Sequence, residues 1–545
     1  LMSLQFIIGN AGAGKTYRAC EAIIRESIEN PDRLYYIIVP EQFTMQTQKN
    51  VVEMHPGKGI LNIDVLSFER LAYRVFEEVG GVQETLLDDT GKSMVLQKLV
   101  QQHKKQLPYL GSQMNKPGYL DEVKSLISEF MQYDICQEEL EKMMEKTGEQ
   151  SLLSLKMQDV GVLYQAFTSY LEGHYMTGEG VMDALKKALP FSGKLKDSIL
   201  LLDGYTGFTP VQLKVIQELL TVCNQVRVTV TMDSRADFFQ MGKPHQLFYM
   251  SQKMIHSLSE LTKDFAEPVV LAGSKKGRFG NASALGFLEQ NLFRYRKAVY
   301  EKEQDEICLF VAESPVKEME EAARRIHRLV RVEKLKYGEI AVITGNLEEY
   351  KSIAAQVFSK SGIPYFLDEK HSILMNPFVE YIRAALEMVT TGFSYESVFR
   401  YLRCGLSVIK REIADELENY VLALGIRGYK KWSRKWVRLY KGMKEEEIQN
   451  LNLWREQFLQ EVQGLALGFS GGKRTVREYC YCLYQFIVDC DIQRKLKKQE
   501  LSFKEKGEKV LEKEYTQIYG IVMELLDRMV EILGEEEITA KEFIQ

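Results

Sequence analysis

Near the amino end, Gly9 to Thr16 reads GNAGAGKT and fits G-x-x-x-x-G-K-[ST] in full. These residue types at this spacing suit the binding of a phosphate chain. In the loop Gly9, Asn10, Ala11, Gly12, Ala13 and Gly14, the small residues Ala11 to Gly14 let the backbone wrap closely round phosphates, and the N–H groups of the loop and of the helix that follows supply an anion site. Lys15 would neutralise the β- and γ-phosphates, and the Thr16 hydroxyl would ligate Mg2+. ATP and Mg2+ are therefore the expected ligands. Hydrolysis asks for more, beginning with a carboxylate that holds the Mg2+ shell from the end of a buried strand. Asp203 in SILLLDG is the candidate, with a turn cap as its plainer alternative. The next residue is Gly204, which offers no carboxylate to orient an attacking water. A nucleotide held with little or no turnover is the expectation.

The elements around these residues read as a parallel α/β sheet. LQFII (4–8) runs into the glycine loop, and YRACEAIIRESIEN after it has helical spacing; LYYIIVP (34–40), ILNIDVLSF (60–68), SILLLDGYTGF (198–208) and VRVTVTM (226–232) read as further strands. Strands alternating with helices imply a sheet covered on both faces. Residues 86–190 lack convincing strands and look like a helical insertion. A third α/β stretch starts near Glu306 with ICLFVA, the helix MEEAARRIHRLVRVEK and the strand EIAVITG; beyond about residue 390 the pattern is helical. The expected division is a first α/β domain at 1–85 and 191–275, a helical insertion at 86–190, the first part of a second α/β domain at 276–390, and a second helical insertion at 391–545. A chain of 545 residues exceeds the roughly 250–300 that one core supports. The closing EEITAKEFIQ reads as the opening of another helix, so the chain is expected to belong to a longer protein.

Bulk properties narrow the class. Hydrophobic residues at 45% and charged ones at 27% exclude global disorder, and a net charge of -5 neither demands nor forbids nucleic acid. The eight cysteines are mostly scattered singly in apolar stretches, which suits reduced thiols in a cytoplasm. Cys480, Cys482 and Cys490 form the only cluster; a metal site there competes with the plainer reading of YCYCLYQF as a helical core segment. No apolar run reaches the roughly 20 residues that span a bilayer, so no membrane partner is expected. RGYKKWSRKWVRLYKGMK (427–444) holds no acidic residue, and Tyr429, Trp432, Trp436 and Tyr440 follow at spacings of 3, 4 and 4. On a helix these rings would share one face flanked by Lys430, Lys431, Arg434, Lys435 and Arg438, a pattern that fits either DNA backbone contact or an aromatic stripe buried in the core beneath solvated charges.

Five stretches in order, FIIGNAGAGKT, YYIIVPEQFT (35–44), DVLSFERLAYRVFEEVGG (64–81), LLLDGYTGFTPVQ (201–213) and GEIAVITGNLEEYKSIAAQVFSKSGIPYFLDEK (338–370), resemble the AddB (RexB) family of bacterial AddAB helicase-nuclease subunits, built in its first half like a UvrD-type superfamily 1 helicase. The resemblance spans nearly the whole chain but about half of a typical member. It implies two RecA-like P-loop cores, each interrupted by a mostly helical insertion. It implies a DNA path past Gln42, Phe43 and Thr44 and past Ser67 and Phe68, where the two rings could stack on bases or serve as core. It implies a partner, AddA, that drives translocation in a heterodimer, single-stranded and duplex DNA ends as substrates, Chi recognition, and a role in double-strand break repair. A nuclease domain with a four-cysteine iron-sulfur cluster is expected only in the C-terminal half, and no matching carboxylates or cysteines occur here. The alignment places Gly345 where an active motor carries an arginine, so the motor is expected to be degenerate. The rivals are a working superfamily 1 helicase, a nucleotide-gated interaction module without DNA contact, and, disfavoured by length, a small-molecule kinase.

Overall fold

A computed structural model describes the chain except for residues 1–2, 81–84, 115, 117, 146–150, 272–277, 281, 295–296, 368–371, 441 and 545. Residues 81, 368–370, 441 and 545 of the stretches quoted above therefore lie outside the described residues. The chain divides into two compact units, Leu1–Ala298 with Pro377–Gln545, and Val299–Asn376.

The first unit is built on a six-stranded sheet. Its strands are β1 (Ser3–Gly9), β2 (Tyr35–Ile38), β3 (Ile63–Leu66), β4 (Ile199–Leu202), β5 (Gln225–Thr231) and β6 (Val269–Leu271). They lie in the order β3-β2-β4-β5-β1-β6, and every pairing is parallel. Five of the six follow the hydrophobic runs of the sequence; β6, in EPVVLAG, is too short and too plain to stand out. Side chains alternate between two cores. Leu200, Leu202, Val226 and Val228 pack on one face with the helix Phe68–Val79, while Ile199, Leu201, Ile37 and Val65 pack on the other with Ile23 and Ile24 of the helix α1 (Lys15–Glu29). Each such side chain, once fully buried, contributes about 1.5–3 kcal/mol. The register aligns Gly9 with Thr231, and Leu202 with both Ile38 and Val228, so the carboxyl ends of β1, β4 and β5 open on one edge of the sheet. In open parallel sheets that edge is where ligands bind.

The insertion at 86–190 is helical, with one correction. Thr85–Leu87 and Tyr175–Thr177 form a short parallel pair at its ends. Three residues in a strand show too little alternation to read, and pairing over 90 positions leaves no local mark. The core of this segment is completed by Ile532 of the helix Lys509–Leu533, so that helix packs against it within this unit. Cys480 lies buried within the helix Val476–Asp489 and Cys490 caps it; burial pushes both thiols up to about 12. Among the described residues no group of three His, Cys, Asp or Glu side chains is arranged to hold a metal ion. Among those residues, no helix is long and apolar enough to cross a membrane.

The second unit holds the helices Pro315–Arg331 and Leu347–Lys360, packed through Met319, Ala323, Ile326, Ala354, Val357 and Phe358. The expected strands ICLFVA and EIAVITG are unpaired, with Glu339 in the single turn Tyr337–Glu339, and among the described residues of this unit there is no strand. A strand exists through its ladder, and without a neighbour to take their N–H and C=O groups these runs leave Leu309, Val311 and Ile343 exposed at 91%, 85% and 92%. Among its described residues this unit therefore shows a packed helix pair and not the sheet of the second core expected at 276–390.

Candidate nucleotide site

β1 ends at Gly9, and the loop turns through Gly12 and Gly14 into α1, as GNAGAGKT requires. The Lys15 ammonium folds back and donates to Asn10 O at 2.9 Å. Burial pulls its pKa below the ordinary lysine value, opposed by Asp203 and Glu289 and reinforced by Arg278. From β4, Asp203 Oδ1 accepts hydrogen bonds from Thr16 Oγ1 at 3.1 Å and from Thr229 Oγ1 of β5 at 2.5 Å. The loop threonine and the strand-end carboxylate meet although 187 residues separate them. A cavity of about 710 Å3 opens beside them, lined also by Asn50 of the helix Thr44–Met54 and by Tyr205. This is within the range of small-molecule sites. A carboxylate, a hydroxyl and an ammonium at its base are the hard oxygen ligands and the countercharge that Mg2+ and a phosphate chain need. The residues present therefore fit both groups, with Thr16 and Asp203 toward the metal and Lys15 toward phosphate. Cys20 also lines this cavity, and burial raises its thiol to about 12, so it stays protonated and unreactive.

Gly204 follows Asp203 with φ of 80°, a left-handed conformation that L side chains avoid. Glycine here is required by the turn as well as being chemically blank. Gly204→Ala is expected to lower stability by about 1–2 kcal/mol, measured by chemical denaturation.

Behind the loop runs a polar network that the sequence did not announce. Asn10 Nδ2 donates to both carboxylate oxygens of Glu289 at 3.2 and 3.1 Å, and Asn10 Oδ1 accepts from Ser234 N at 3.0 Å. Arg294 joins Glu289 to Asp233, both at 3.3 Å, and Arg235 pairs with Asp233 at 2.9 Å. Hydrogen bonding from Arg235 holds the Asp233 carboxyl far below the usual carboxylate range. The helix Ser283–Asn291 is thereby fastened to the glycine loop, and the first unit extends to Ala298, past the boundary expected near 275. Thr229 and Thr231 were missed too; the alternation in VRVTVTM, which puts both on one side of the strand, was the available signal.

The expected DNA residues divide by burial. Gln42 and Phe43 are exposed, Phe43 at 49%, in the single turn Glu41–Phe43. Thr44 is buried and donates to Glu41 O at 2.9 Å, and Ser67 caps the helix Phe68–Val79 by accepting from Arg70 N at 3.3 Å. Phe68 is core, edge-on to Tyr205 and Phe208 at 5.7 and 6.3 Å. The salt bridge between Arg70 and Glu41 at 2.8 Å draws the two stretches side by side.

The basic stretch departs from the expected helix, which covers only Tyr429–Trp432. Asn452 explains why: its side chain accepts from Trp436 N at 2.9 Å and donates to Trp436 O at 2.8 Å, pairing with the backbone as a strand neighbour would. Arg455 takes Trp432 O at 2.8 Å. Trp432 and Trp436 are buried and meet at 5.2 Å, so these rings face the core, while Lys430, Lys431, Arg434 and Lys435 remain on the surface. Gly345 lies in the second unit with open space around its Cα.

Residues 6–289 match the family described as “ADDB, N-terminal”. The chain belongs to that family. Curated relatives of this AddB-family chain are named as the B-type subunit of an ATP-dependent helicase/deoxyribonuclease. The protein of Lachnoclostridium phytofermentans is 42% identical over 99% of this chain and 48% of its own length. That of Caldanaerobacter subterraneus is 36% identical over 99% and 47%, and that of Clostridium novyi 33% over 100% and 47%. The chain spans about half the length of these relatives.

Proposed function

We propose that this chain is the nucleotide-binding, non-motor half of an AddB-type subunit in an ATP-dependent helicase-nuclease, acting with an AddA partner at DNA ends during cytoplasmic double-strand break repair. The observation that carries the nucleotide part is the hydrogen-bond chain Thr16–Asp203–Thr229 set beside Lys15, which joins the glycine loop to the strand-end carboxylate as Mg2+–ATP binding needs. Gly204 beside that carboxylate supports a held nucleotide with little hydrolysis. The relatives' names support a subunit role and the helicase and deoxyribonuclease setting. Chi recognition and the position of Gly345 rest on the family resemblance alone.

A fluorescent ATP analogue with Mg2+ should bind the chain, and Lys15→Ala should weaken it about 10- to 100-fold, because a hydrogen bond to a charged group contributes about 1.5–3 kcal/mol. The lysine value lowered by burial also predicts that affinity falls on the alkaline side sooner than an ordinary lysine would allow, since only the protonated ammonium neutralises phosphate. Wild-type chain that ignores the analogue overturns the reading. For DNA, the surface cations Lys430, Lys431, Arg434 and Lys435 support salt-dependent binding of a duplex with a single-stranded tail. Neutralising all four should weaken binding and flatten its salt dependence; unchanged binding would place the DNA contacts elsewhere, and wild-type chain that does not bind the tailed duplex would favour an interaction module that leaves DNA alone.

A further inference from the structure

The cavity beside the glycine loop is lined by a second cation that no motif marks. Arg278 borders it together with Lys15, Thr16 and Asp203. Its neighbour fixes its place: a Cβ built on Gly12 would stand 2.9 Å from Phe279 Cε2 and 3.2 Å from Arg278 Cβ, so both residues press directly on the loop backbone. Phe279 also packs on Gly286 of the helix Ser283–Asn291, where an added Cβ would come within 3.1 Å of Phe279 Cβ, and its carbonyl accepts from Ala282 N at 3.1 Å. That helix is the one bonded to Asn10 through Glu289. Phe279 is therefore a wedge gripped between loop and helix, and it carries Arg278 to the cavity wall.

The guanidinium of Arg278 has no hydrogen-bond or ion-pair partner among the described residues, while Arg235 and Arg294 close by are both engaged by Asp233. Its charge also bears on Lys15, adding to the burial that disfavours the ammonium. Two cations held toward one cavity repel each other until an anion lies between them. A guanidinium offers a planar fork of donors that matches phosphate oxygens, and it is more weakly hydrated than an ammonium.

We propose that Arg278 is a second phosphate-binding cation of this site, set over the glycine loop by Phe279 and acting with Lys15 on the nucleotide's phosphate chain. This rests on the nucleotide-binding reading above, and the test separates the two. Affinities of the full 545-residue chain for ATP, ADP and AMP with Mg2+ would be compared between wild type, Arg278→Ala and Arg278→Lys, with the melting of each ligand-free protein as a check on folding. Arg278→Ala should weaken ATP about 10- to 100-fold, with a loss that shrinks from ATP to ADP to AMP and an unchanged ligand-free melt; Arg278→Lys should recover part of it. An Arg278→Ala variant that binds ATP as wild type does, or loses AMP as heavily as ATP, overturns the inference. A wild-type chain that binds none of the three overturns the nucleotide reading itself.

Discussion

With Mg2+ and saturating ATP, this chain is expected to release phosphate about 100- to 10,000-fold more slowly than a P-loop ATPase that carries a carboxylate beside its strand-end aspartate, because that is the usual contribution of a positioned general base. The cradle itself is sound: Lys15, Thr16 and Asp203 stand together, and the cavity beside them suits a nucleotide. On the proposed reading the position after Asp203 offers no side chain to align and deprotonate water, and the other carboxylate that lines the cavity is Glu53 of the helix Thr44–Met54. Asp203 is assigned to the metal end of the site on this reading, its Oδ1 accepting from Thr16 and Thr229. Gly204 cannot serve, and its φ of 80° means that Gly204→Glu would strain the turn before it could present a carboxylate. That variant is therefore expected to bind ATP no better and to hydrolyse it no faster. A coupled phosphate-release assay with and without tailed duplex DNA checks both statements. Vigorous DNA-stimulated release that disappears in Lys15→Ala would mean a working motor.

The parts of this arrangement that were legible in the sequence are those whose signal is local. GNAGAGKT between an apolar run and a helical pattern fixes a strand, an anion loop and a helix in one stretch, and SILLLDG marks a buried strand by its unbroken hydrophobicity. Residues that join the site across the fold were not legible. Thr229 reaches Asp203 because β5 lies next to β4, a matter of strand order, and Glu289 reaches Asn10 over 279 residues. The aromatic spacing at 429–440 misled for a related reason. A period near 3.6 predicts a helix only if the backbone keeps its own hydrogen bonds, and Asn452 takes those of Trp436 instead. ICLFVA and EIAVITG failed in the opposite sense: their composition is that of strands, but composition cannot supply the neighbour that a ladder needs.

Replacing Lys92 with methionine should cost about 3–5 kcal/mol of stability, since it strands a buried carboxylate without its partner. The Lys92 ammonium, with its side chain 7% exposed, donates to both oxygens of Glu179 at 3.0 and 2.9 Å and to Ser128 Oγ at 3.2 Å. It thereby ties the helices Asp89–Gln102, Tyr119–Gln132 and Gly178–Ala188 to one point. Burial raises the Glu179 pKa, but the hydrogen bond and charge of Lys92 outweigh it and hold the carboxyl below its ordinary value. With the folded value depressed, the pair's stabilisation is present above the unfolded carboxyl value of roughly 4.3 and is lost as pH falls through the folded one. In Lys92→Met burial loses its main counterweight and is opposed only by the hydrogen bonds from the Glu179 backbone N–H and from Thr177, so the folded value is expected to rise above the unfolded one. The variant is then penalised at neutral pH and relieved by acid. The difference between the two proteins, read from denaturation midpoints at several pH values, should therefore shrink as pH is lowered, and pairing Lys92→Met with Glu179→Leu should restore most of the loss by removing the stranded charge. A Lys92→Met protein as stable as wild type at neutral pH, or a gap that widens in acid, would show that the pair does not hold these helices together.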